Sequence, residues 1–93
     1  MANPSCSQAS VIRLETTTRA TPPRVVQLAR ELFAGAYGLT ETAADERSVA
    51  FEGGGGGVAV AVRGARDGTI VEITSREWDV QARQFVERLR RAG

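Results

Sequence analysis

The sequence predicts an α+β fold with the element order β-α-β-β-β-α, an antiparallel sheet with both helices packed on one face. Three observations carry that expectation. Apolar and polar residues alternate through several short segments rich in valine, isoleucine and threonine. Two longer segments place apolar residues at helical spacing. Tight-turn signals separate the alternating segments, namely a run of glycines and an Asp-Gly pair.

Residues 1–9 are rich in Ser, Asn, Pro and Gln and read as a disordered tail; residues 10–93 read as a single α+β domain. In "VIRLETTT", Ile12, Leu14 and Thr16 alternate with Val11, Arg13, Glu15 and Thr17, the pattern of a half-buried strand. An edge of the sheet is its expected place. "TPPRVVQLARELFAGAYG" reads as a helix capped by Thr21, with Pro22 at the first position, where a missing N–H is no loss. Val25, Leu28, Ala29, Leu32, Phe33 and Ala36 share one face, and Gly35 or Gly38 ends the helix. "LTETAADE" reads as a polar connector. A meander of three strands follows. Val49 and Phe51 face one side of the first, Val58, Val60 and Val62 one side of the second, and Val71 and Ile73 one side of the third. The last helix carries the stripe Trp78, Ala82, Phe85, Val86 and Leu89. Thr74 and Glu77 match a capping box, with Ser75 as an alternative cap. Acids in its first turn and arginines in its last complement the helix dipole.

Composition excludes more than it assigns. The net charge is +1, so no strong field draws the chain to nucleic acid or to an anionic membrane, and neither partner is expected. All 12 basic residues are arginine, which reads as the codon bias of a GC-rich genome. With no histidine and with Cys6 as the single cysteine, the chain has no zinc-ligand spacing and no internal disulfide. No metal or cofactor is expected. No apolar run approaches the ~20 residues of a membrane span. "MANPSCSQAS" lacks the charged and apolar regions of a signal peptide, so a cytoplasmic location is expected.

The glycine run Gly53–Gly57 is the feature that most resembles a site. A phosphate loop needs a lysine and a Ser/Thr after the glycines, then a helix whose N-terminus meets the phosphate. Here Val58 and a strand follow, so the run reads as a hairpin connection. Gly56 and Gly57 are expected to let the ring of Trp78 or Phe85 come close. Trp78 falls in phase with the core of its helix, and it also has the chemistry of an interface anchor or a ligand platform. Glu52 and Glu72 read as solvated charges on the exposed sheet face. Without a histidine, with the one thiol in the tail and with no serine elbow, no catalytic residue is expected and the chain does not read as an enzyme. "RLRR" at 88–91 lacks stacking aromatics around it and reads as a solvated cluster.

"FEGGGGG", the alternating valines, "REWD" and "QFVERL" together resemble short bacterial α+β proteins of no assigned function, over about residues 20–90. The resemblance implies a fold and brings no catalytic residue. The element order is also similar to a shortened helix-grip fold, in which a sheet wraps a long C-terminal helix around a ligand cavity. That similarity implies an apolar pocket under the last helix, suited to a small apolar ligand. The first expectation is a non-enzymatic interaction module that forms a homo-oligomer, because a sheet covered on one side leaves an open face and two edges. The small-molecule binding domain is the alternative. Trp78, Gly56, Gly57 and Ile70 are the expected interface or ligand contacts.

Overall fold

The computed structural model describes residues 11–92; the expected tail at 1–9, with Cys6, lies outside the described residues. Strand β1 (Val11–Thr18) leads to helix α1 (Pro22–Ala29), which runs on as a π-helical segment, Arg30–Ala36. Strands β2 (Thr40–Ala44), β3 (Ser48–Gly53), β4 (Gly56–Ala65) and β5 (Gly68–Arg76) follow, and α2 (Asp79–Arg91) closes the order. The strands form one sheet in the order β1-β5-β4-β3-β2, antiparallel throughout. β1 takes an edge, beside β5, the place expected for it, though its pattern alone does not fix that place.

Alternation decides which face is covered. Val49, Phe51, Val58, Val60, Val62, Val71 and Ile73 all point to one side and are buried. α1 lies over β3 and β4, and α2 over β1 and β5. Their apolar stripes close the core, α1 through Val25, Leu28 and Ala29, the π-segment through Leu32 and Phe33, and α2 through Ala82, Phe85 and Leu89. Phe33 is the hub. Its ring centroid lies 5.4 Å from that of Phe85, edge-on, and 5.6 Å from that of Phe51. Two buried hydroxyls tie the layers at the far end. Thr18 donates to the Leu89 carbonyl at 2.9 Å and Thr69 to the Ala20 carbonyl at 2.7 Å.

Three expectations change. The connector "LTETAADE" contains a fifth strand, β2, every residue of which is exposed. It pairs with β3 through a register shift between Glu41 and Ala43. Its position is held by the bidentate contact of Arg30 with Glu41, at 2.8 and 3.2 Å. The first helix does not stay α-helical. From Arg30 its turns widen to i→i+5 bonding, and Tyr37 rather than Ala36 reaches the packed side. Gly38, at φ +73°, then ends it, and the Leu39 N–H returns to the Phe33 carbonyl at 2.9 Å. Finally, α2 starts later than the capping box requires. Thr74 stays in β5 because that strand keeps its pairing as far as Arg76. Ser75, the alternative cap, accepts from the Trp78 N–H at 3.2 Å and donates to Asp79 Oδ1 at 3.4 Å.

Candidate functional site

The β3–β4 hairpin explains its own glycines. Gly54 and Gly55 are the two turn residues, at φ +59° and +83°, the left-handed pair that a tight hairpin of matching twist demands. Gly56 serves close approach. A Cβ there would overlap the Arg76 carbonyl oxygen and stand 2.7 Å from the Glu77 Cβ. A Cβ at Gly57 would stand 2.8 Å from the Phe51 carbonyl oxygen. Strand β4, and not a helix, follows the run in the chain.

Trp78 does pack on this hairpin, but on its tip. Its ring lies where a Cβ at Gly54 would be 3.1 Å away, and its Nε1–H donates to the Gly53 carbonyl at 2.9 Å. The Gly56 and Gly57 positions face backbone instead of the indole. Glu77, at φ +71°, turns the chain off the end of β5 and over the hairpin, which puts the indole against the tip. Tyr37 completes the cluster. Its ring centroid is 6.3 Å from that of Trp78, and its hydroxyl donates to Gln84 on α2. Trp78 is half-buried, and beneath α2 the space is filled by the Phe85, Phe33 and Phe51 rings.

Ile70 lies elsewhere, on the outer face of the sheet, half-buried between Arg63 of β4 and Thr17 of β1. The rows of that face follow from register. Ala50, Ala59, Thr74 and Arg13 run across β3, β4, β5 and β1; Ser48, Ala61, Glu72 and Glu15 form the next row. The centre is therefore small and apolar, and the β1 side carries charges of both signs. Glu72 has Glu15 directly opposite it, and Glu52 lies two rows away. Like charges in direct opposition are destabilising. Neither glutamate is engaged in an ion pair among the described residues. Sequence reasoning misses Glu15 as the neighbour of Glu72, because the pairing joins segments far apart in the chain.

At the opposite end from Trp78, a solvent-open cleft of about 800 Å³ gathers Arg19, Arg66, Arg90 and Arg91 around Thr17 and Asp67. Residues 88–91 thus acquire two further arginines from separate loops. The cleft borders the C-terminal end of α2, whose partial negative charge accounts for cations there. Among the described residues, no three of His, Cys, Asp and Glu converge as a metal site requires.

Two carboxyls titrate below their usual range, both at the β2 edge. The Arg30 guanidinium, hydrogen-bonded to Glu41, lowers that carboxyl, and the same contact raises Arg30. Asp45 is lowered by the Arg47 backbone N–H at 2.7 Å, and then by the Ser48 hydroxyl at 3.1 Å. Both contacts brace the β2–β3 hairpin.

No family model, no curated protein and no solved structure matches the chain.

Proposed function

We propose that the protein is a small non-enzymatic interaction module whose partner is a second copy of itself. The observation that carries this reading is the one-sided sheet. Among the described residues, helices cover only the inner face, which leaves an outer face of small residues centred on Ala50, Ala59 and Ala61 and two strands with unpaired backbone edges. Exposed edges and flat apolar faces are the surfaces through which sheets recruit partners. The outer-face charges Arg13, Glu15, Arg63 and Glu72 include both signs, as a self-complementary surface needs. The rings packed beneath α2 favour self-association over a small-molecule site in that position.

Multi-angle light scattering on the full chain tests the reading, with a concentration-dependent mass approaching twice the monomer as the expected result. A monomer mass maintained into the high-micromolar range would rule it out. A saturable rise in melting temperature with a small apolar compound, in a chain that stays monomeric, would favour the small-molecule alternative.

A further inference from the structure

The two sheet edges are built differently. β2 is short, carries a register shift at Glu41/Ala43 and is bridged to the first helix through Arg30. Short length and bulges are among the devices that blunt an edge against pairing, as are charged side chains, which β1 does carry in Arg13 and Glu15. β1 is neither short nor bulged. It is 8 residues long, contains no proline, and keeps an unbroken register with β5 from Val11↔Arg76 to Thr18↔Thr69. Its inward side chains Ile12 and Leu14 are only half covered. Val11, at its start, is 59% exposed.

We propose that the free edge of β1 pairs antiparallel with β1 of a second copy, with Leu14 opposite the partner's Leu14. This deepens the self-association reading and rests on it. A two-fold axis perpendicular to the sheet relates the strands, so directly opposed residues share a face and the register moves in steps that preserve parity. Three registers lie near the strand centre, and charge decides among them. Centring on Arg13 opposes two arginines. Centring on Glu15 aligns Glu72, Glu15, the partner's Glu15 and the partner's Glu72 in one row. Centring on Leu14 sets Arg13 opposite the partner's Glu15 and Glu15 opposite the partner's Arg13.

The last arrangement also meets three features of the single chain. Glu15, which faces Glu72 and has no ion pair among the described residues, gains an arginine on its other side. Val11 enters the row of the partner's Thr17 and Ile70, which assigns Ile70 a place next to the contact. Ile12 and Leu14 are covered by the partner's Thr16 and Leu14. Above them, α2 and its symmetry mate lie side by side. Gln84, bonded to Tyr37, marks the α2 flank nearest the first helix, so half-buried Val86 faces the dyad on the opposite flank. Pairing of Val11–Thr17 with the partner's Thr17–Val11 contributes about six to eight main-chain hydrogen bonds, two per alternate residue pair.

Charge exchange in the full chain tests the register. Arg13→Glu and Glu15→Arg, both on the exposed outer face, are each expected to fold, checked by circular dichroism, and to weaken the dimer about tenfold or more in sedimentation equilibrium. An equimolar mixture of the two variants restores both opposite-charge contacts and is expected to re-form dimer, as is the double variant Arg13→Glu/Glu15→Arg. Unchanged dimerisation of both folded single variants, or no recovery on mixing, would overturn the β1 register while leaving self-association intact. A wild-type chain that stays monomeric at every concentration would overturn both.

Discussion

Substituting alanine at Gly55 and at Gly56 separates two reasons for which a chain keeps glycine. At Gly56 the obstacle is steric. The added Cβ would overlap the Arg76 carbonyl oxygen and stand 2.7 Å from Glu77 Cβ, inside the 3.0 Å that real Cβ contacts essentially never breach. β5 cannot step aside, because Arg76 is registered against Gly57 on one side and Val11 on the other. Overpacking costs about 1–3 kcal/mol, and a paired backbone on the receiving side puts this case at the upper end. At Gly55 nothing lies within 4 Å, and the obstacle is φ +83°. A left-handed L-residue costs roughly 1–2 kcal/mol. The gain from a stiffer unfolded chain is common to both and cancels in the comparison. At about 4–8 °C per kcal/mol for a domain of this size, Gly56→Ala should melt about 10–20 °C lower than wild type, and Gly55→Ala about half as much lower. Thermal and urea unfolding followed by circular dichroism, with Trp78 fluorescence as the second probe, measures both. A Gly56→Ala protein as stable as Gly55→Ala would refute the close-approach argument.

Three further outcomes follow from the packing and the edge contacts. Phe33→Ala removes the ring on which Phe51, Phe85 and Tyr37 converge. Its cost of about 3–5 kcal/mol, against a total stability of about 5–14 kcal/mol, should leave the variant close to its midpoint in mild urea. Trp78→Phe loses the Nε1–H donation to Gly53 and should destabilise by about 0.5–1.5 kcal/mol, with faster amide exchange at Gly54 and Gly55 as the local sign. Glu41 and Asp45 are lowered in the folded chain, so their contribution is complete above the usual carboxylate range and is lost as pH falls through their folded values. Protection factors of the β2–β3 hairpin amides, taken relative to intrinsic exchange at each pH, should therefore fall on acidification, and Glu41→Gln should flatten that response; protection indifferent to acid would contradict the role given to the two carboxylates.

The parts of the fold that sequence pattern exposes are those where one face meets a core. β3, β4 and β5 alternate because α1 and α2 press on one side of them, and the stripe of α2 is visible for the same reason. β2 escapes detection because no helix covers it; Thr40–Ala44 is exposed on both sides and carries no alternation to read. It pairs with the backbone of β3 and is bridged to the first helix by Arg30. The π-segment escapes because widened turns move Tyr37 inward without altering residue types. The glycine run is legible as a hairpin by the absence of a lysine and a following helix. That Gly56 faces Arg76 and that Trp78 sits on Gly54 follow from the path of Glu77, which no local pattern encodes. The candidate interface is the least legible of all. Arg13 and Glu15 look like ordinary surface charges until the register of β1 with β5 places Glu72 beside Glu15.

Residue-resolved amide exchange at low and high protein concentration tests the central claim most directly. If β1 pairs with its copy, alternate amides within residues 11–17 gain protection as concentration rises, while those of the β2 edge do not change. Protection in β1 that is independent of concentration would contradict the account.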